Sequence, residues 1–213
     1  MSSTSKLLRA SSDLVRKAHE LCREWFDNID GHIAENINKL TCNDIKEIYY
    51  FSLFGELKRW RSSSSGFTGF SEFLVFRSLY HVIGEIFTAV ETGDIATDPI
   101  IFRSENYEIG QNVQRKLDGN KRTPDIYVEH NGELISIIQI KLVTGGGKNQ
   151  ITREIETFKL FKKSYPDIRG LFIVFIKESF TKDKEQRLRN VGYQTVILED
   201  NKTPISSILS KAI

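Results

Sequence analysis

The sequence predicts an α/β domain on a mixed β-sheet, preceded by a helical N-terminal region. Three observations carry this expectation. Apolar residues recur at three- and four-residue steps through the first sixty positions. In the second half, "DIYVEHNGELISIIQIK" reads as two strands joined at Asn131-Gly132, a strong short-range hairpin signal. Helical stretches then alternate with the wholly apolar run "GLFIVFI", which suits a strand covered on both faces.

Taken in order, Leu7, Leu8, Leu14, Val15, Ala18, Leu21, Cys22, Trp25 and Phe26 mark the first helix. A second helical stretch runs from about Ile33 to Trp60, with a break near Thr41-Cys42-Asn43. "RSSSSG", Arg61 to Gly66, reads as a linker, so the N-terminal helical region is 1–65 and the α/β domain 66–213. After the linker, "GFSEFLVFRSLYHVIGEIFTAVE" predicts one amphipathic helix with Ser71 as its N-cap. Phe73, Phe76, Tyr80, Ile83 and Phe87 form its apolar stripe. A strand is expected at Ile100–Ile109, then the polar loop "GQNVQRKLDGNKR", then the hairpin. A helix over Ile151–Ser164 turns Ile155, Phe158 and Phe161 inward. The buried strand Gly170–Ile176, a short charged helix, the strand "YQTVILE" and a helix from Thr203-Pro204 finish the chain.

Composition narrows the function. The chain has 213 residues, 39% hydrophobic and 27% charged, with only four prolines, which suits a folded globular protein. No run approaches the roughly 18 apolar residues of a membrane span, so no membrane partner is expected. Asp13 and Glu20 favour a plain first helix over a targeting peptide. Cys22 and Cys42 lack zinc or redox spacing, and His19 with Cys22 makes only half a zinc site. Free thiols in a cytoplasmic protein are the expectation. A net charge of +2 does not itself announce a nucleic-acid binder. The basic residues are nonetheless clustered: Arg115, Lys116, Lys121 and Arg122 before the hairpin, Lys148, Arg153, Lys159, Lys162 and Lys163 after it.

The hairpin also carries chemistry. Asp125 opens its first strand, and Gln139-Ile140-Lys141 closes its second. Their facing depends on the ladder. A plain two-residue turn sets Asp125 opposite Ile138 and sends the acid and the lysine to opposite faces. A three-residue loop, or a bulge elsewhere, brings Asp125 to the face of Gln139 and Lys141. Gln139 interrupts an otherwise buried run, and a buried amide needs partners. Grouped on one face, Asp125, the Gln139 amide oxygen and the Ile140 carbonyl are oxygen donors suited to magnesium. Lys141 would neutralise charge developing on a phosphate. One carboxylate is thin for this task, and the long helix offers Glu72, with Glu85 in reserve. "TGGGKNQ" lacks P-loop spacing and reads as a βα loop beside the site, where Lys148 could meet a phosphate.

Pro124-Asp125, fourteen positions before Gln139, together with the Gln139-Ile140-Lys141 tripeptide and the order of elements from Phe70 to Ile176, resembles the PD-(D/E)XK nuclease superfamily. The resemblance implies a restriction-endonuclease-like fold with Asp125 as metal ligand and Lys141 as catalytic lysine. It puts Gln139 in the second acidic position, where the commonest pattern has an acid, and Glu72 in the place of an additional helix glutamate. It further implies magnesium, with manganese able to substitute, and a DNA endonuclease of type II restriction type that acts on double-stranded DNA as a homodimer. Lys121, Arg122, Lys148 and Arg153 are the expected DNA contacts. Within the class, a Holliday-junction resolvase or repair nuclease is the variant reading. Outside it stands a non-catalytic nucleic-acid-binding or interaction module that keeps the fold without the acid at 139.

Overall fold

The computed structural model describes residues 24–54, 68–90, 100–117, 119–143 and 148–213. By density of internal contacts the chain divides into two compact units, 1–36 and 37–213. The described part of the first is a helix over residues 24–36, α1. Expectations for residues before 24, and for the linker at Arg61–Gly66, lie outside the described residues.

The second unit is a mixed α/β fold around a seven-stranded sheet. It begins with α2 (Cys42–Phe54), which the sequence pattern groups with the N-terminal helices. The predicted break near Thr41 is the start of α2. Thr41 Oγ1 accepts from the Asp44 amide at 3.1 Å, and the Asp44 carboxylate accepts from the Thr41 amide at 2.8 Å. This reciprocal cap satisfies donors that a helix start leaves open. Tyr49 of α2 stacks on Phe70 and meets Phe175 edge-on, which ties α2 to the sheet unit.

Helix α3 (Thr68–Ile83) is shorter than its apolar pattern suggests. It stops at Gly84, whose φ of +70° is the left-handed conformation that glycine adopts without penalty. Ser71 lies inside the helix rather than at its cap. The fully buried residues are Leu74, Val75, Ser78 and Leu79, with Phe76 1% exposed, so the inward stripe is rotated from the predicted one. Residues 84–90 contribute β1 (Thr88–Ala89) instead of more helix.

The expected strand at 100–109 is two strands, β2 (Ile100–Arg103) and β3 (Tyr107–Gln111), paired antiparallel. The predicted polar loop is a separate two-stranded ribbon, β4 (Arg115–Leu117) and β5 (Asn120–Arg122). Asp118-Gly119 is its signal in the sequence, being a favoured two-residue hairpin turn. The hairpin follows as β6 (Ile126–His130) and β7 (Glu133–Lys141), then α4 (Lys148–Ser164) and β8 (Arg169–Val174). After these come α5 (Lys182–Asn190), β9 (Tyr193–Ile197) and α6 (Ile205–Leu209).

Sheet order is β1-β2-β3-β6-β7-β8-β9. Pairing is antiparallel up to β7 and parallel from β7 through β9. The parallel strands require crossovers, and α4 and α5 supply them. On one sheet face Tyr127, Ile137, Phe172, Val174 and Tyr193 join Ile151, Phe158 and Phe161 of α4 in one apolar core. The opposite face, with Ile109, Val128, Ile138, Ile140 and Ile173, is buried as well, and α3 contacts β3 and β7 there. With both faces covered, β7 and β8 read as continuous apolar runs.

Candidate functional site

The turn between β6 and β7 contains two residues, since His130 pairs with Glu133. The register then shifts: Glu129 pairs with Leu134, but Val128 pairs with Ser136. Ile135 is the extra residue of a β-bulge. Beyond it Ile126 pairs with Ile138, and continuing the ladder by one residue sets Asp125 opposite Gln139. The one-residue offset that the site requires therefore comes from a bulge inside the hairpin and not from its turn. Asp125, Gln139 and Lys141 share the face that α4 covers.

Asp125 sits where the β6 ladder ends. Its Oδ2 accepts from the Ile140 amide at 2.6 Å and lies 3.4 Å from Lys141 Nζ. Lys141 Nζ is also 3.2 Å from Oε1 of Glu154 on α4. All three side chains are largely buried, with relative exposures of 15%, 16% and 13% for Asp125, Lys141 and Glu154. Burial pushes the Asp125 carboxyl up to about 6 against the opposing pull of Lys141 and the Ile140 amide, and the negative charges of Glu72 and Glu154 push the same way. Lys141 is held above its ordinary value: its own burial opposes this, and Asp125 and Glu154 outweigh it. One ammonium thus bridges two carboxylates from different elements.

Glu72, in the first turns of α3, faces this group from the other side of the strand ends. Its Oε2 accepts from Gln111 Nε2 at 3.1 Å and Asn112 Nδ2 at 2.8 Å. It acts on Asp125 through its charge. Glu85, the reserve candidate, is elsewhere. It accepts from Asn106 Nδ2 at 2.9 Å, and the Asn106 carbonyl accepts from the amide of Asn131 in the hairpin turn. That is the opposite end of β6 from Asp125. Gln139 is 2% exposed and pairs with Phe172 in the parallel ladder. For Ile140, the observed contact with Asp125 is through its amide, while its side chain is buried on the α3 face.

Glu154 is the member that sequence reasoning missed. It stands in "ITREIET" as one of two acids, with Glu156, interleaved in the basic cluster that follows the hairpin, a pattern that also describes a solvated helix face. Thirteen positions separate it from Lys141, and only the β7–α4 crossover brings the two together. Gln150 lies one turn earlier on the same helix face, and its Oε1 is buried without a partner among the described residues. The Tyr193 hydroxyl is likewise buried and unpartnered among the described residues. Burial, then the charges of Glu154 and Asp125, hold its pKa well above the ordinary value.

These donors are all oxygen: two carboxylates sharing one cation, with an amide oxygen, unpartnered among the described residues, one helical turn from Glu154. Such a set fits a hard divalent cation better than a transition metal. Among the described residues, no group of three His, Cys, Asp or Glu is placed to hold a metal ion. Of the expected DNA contacts, Lys121 and Arg153 are exposed and Arg122 is half-buried, while the Lys148 side chain lies outside the described residues. Cys42 is a free buried thiol, and burial raises it to about 11. No described helix is long and apolar enough to cross a membrane. Compared with known protein families, curated proteins and solved structures, the chain matches none.

Proposed function

We propose that this chain is a metal-dependent endodeoxyribonuclease of the PD-(D/E)XK type, acting on double-stranded DNA. The observation that carries the reading is the convergence of Asp125, Lys141 and Glu154 on one sheet face beside Gln139, made possible by the bulge at Ile135. In this reading Glu154 supplies the carboxylate that position 139 lacks. Asp125, Glu154 and the Gln139 amide would hold magnesium, or manganese in its place, which supplies Lewis acidity at the phosphate and lowers the pKa of a bound water.

The chain's own residues do the rest. The Ile140 amide fixes the Asp125 carboxylate in one orientation. Glu154 and Asp125 keep Lys141 protonated, so its ammonium is available to a phosphate oxygen as charge develops there. Asp125 is ionised above about pH 6, which sets the acid limb of activity. Glu72 faces the group from α3 and adds negative charge. A type II restriction enzyme, working in the cytoplasm as a homodimer in which each copy cuts one strand, is the form this reading takes. A resolvase or repair nuclease would use the same residues on a different DNA shape.

A second reading rests on the same ion pairs. Lys141 already bridges both carboxylates, as it would in a non-catalytic module that has kept the fold and binds nucleic acid without cutting it. Cleavage of supercoiled plasmid and branched DNA with magnesium or manganese separates the two. Metal-dependent cutting that disappears in Asp125→Ala supports the nuclease, and the products distinguish restriction from resolution. DNA binding by a wild type that cuts no substrate would replace the nuclease with the module.

A further inference from the structure

The ribbon β4–β5 stands between β3 and β6 in the chain and pairs with neither, forming its own two-stranded sheet. Its inner face is anchored. Leu117 is buried in the α4-side core, and Arg115 lies over the Tyr127 ring at 4.1 Å with its guanidinium 2.5 Å from Glu129. Its outer face carries Lys116 directly opposite Lys121. Both are exposed, and neither has a carboxylate partner among the described residues. On the inner face Arg115 is opposite Arg122, so two successive cross-strand pairs bring like charges together. Like charges directly opposite destabilise a ribbon. For Arg115 the Glu129 ion pair offsets this. For Lys116 and Lys121 nothing in the described fold does, and an anion across the outer face would.

We infer that this ribbon is a duplex-gripping element that lays Lys116 and Lys121 into the major groove of B-form DNA, each ammonium meeting a phosphate wall. The size is right. Two lysines rooted on Cβ atoms about 5 Å apart span a groove about 12 Å wide, which admits a two-stranded ribbon. The narrow major groove of A-form RNA does not admit side chains, and a single strand has no second wall. The ribbon therefore selects duplex DNA over both. Its position suits the site: β5 ends three residues before Asp125. The inference rests on the proposed nuclease reading for its substrate, but not for its test.

The test measures binding in the Asp125→Ala background, where substrate is not consumed. The ligands are a DNA duplex, its single strand and the matching RNA duplex. The protein carries either no further change, Lys116→Glu with Lys121→Glu, or the milder Lys116→Gln with Lys121→Gln. A charge-matched control carries Lys202→Glu with Lys211→Glu. The parent should prefer duplex DNA at least tenfold. Both ribbon variants should lose that preference. Their plot of log affinity against log salt should be shallower by about 1.8, because each phosphate that a lysine no longer neutralises accounts for about 0.9. The control should change neither. Equal affinity of the parent for DNA and RNA duplexes, or equal weakening in ribbon variant and control, would overturn the ribbon's role. Ribbon-dependent duplex binding by a protein whose wild type cuts nothing keeps this inference and sinks the nuclease. Cutting by wild type, with duplex affinity unchanged in both ribbon variants, does the reverse.

Discussion

Replacing Asp125 with asparagine should make the protein more stable at neutral pH while abolishing any cleavage. Asparagine is close to isosteric with the protonated acid, and its amide oxygen can still accept from the Ile140 amide. The Asp125 carboxyl is raised from 3.8 to about 6, chiefly by burial. An acid with a raised folded-state pKa binds its proton more tightly in the folded than in the unfolded chain. Stability is therefore highest below the unfolded value and falls as pH rises through the window from 3.8 to about 6. The gap of about two units is worth about 3 kcal/mol at 1.36 kcal/mol per unit. Asparagine escapes that penalty, so its advantage should open across the same window and be complete above it. Urea denaturation of both proteins at half-unit steps from pH 4 to pH 8 measures it. A variant less stable than wild type at pH 8 would refute the reasoning, and so would a difference that stays constant with pH. The first result would mean that Lys141 stabilises the carboxylate more than burial destabilises it, and the second that the two cancel.

Two further outcomes follow from the geometry. Glu154→Gln removes one of the two anions around Lys141 and should lower metal-dependent cleavage by about 10²–10³-fold. The acid limb of the pH–rate profile should move downward, since Glu154 helps to raise Asp125. An unchanged rate would remove Glu154 from the site. Gly170→Ala would place a Cβ 2.5 Å from the Phe158 ring and 2.8 Å from Tyr193, and should cost about 1–3 kcal/mol through overpacking. Unaltered denaturation would show that those rings yield freely.

The α/β class, the hairpin, the buried β8 strand and the helices flanking it were legible because each rests on a local signal. Asn131-Gly132 marks a turn through its own backbone preferences, and "GLFIVFI" has no alternative to burial. The ribbon β4–β5 was also locally signalled by Asp118-Gly119, but its strands are three residues long and basic, too short for alternation to stand out from a polar loop. The end of α3 at Gly84 was hidden by apolar residues that continue at helical spacing to Phe87. The bulge at Ile135 was harder. Nothing in "GELISII" distinguishes the extra residue from its neighbours, because its position is set by the packing of Leu134 and Ile137 into one core with Ser136 on the other face. The site's facing was accordingly open in the sequence. Glu154 was invisible for a related reason: its partner is reached only through the β7–α4 crossover.

The glutamine at 139 takes a physical meaning from Glu154. Position 139 is 2% exposed, deeper than Glu154 at 13%, and opposite a carboxyl that burial has already raised to about 6. A second acid there would face both desolvation and the charge of Asp125, and the two would raise each other's pKa. Part of the pair would then be protonated near neutral pH, when a hard cation requires it ionised. Placing the second charge on α4 keeps two carboxylates on one cation while leaving the deeper position neutral. The amide remains an oxygen donor at the strand, and the charge comes from the helix. The arrangement makes the site depend on how α4 sits against the sheet, which Phe158 and Phe161 fix by burial in the core below it. Glutamine at 139 is thus compatible with a charged, ion-binding site, provided that the helix and the strand arrive together.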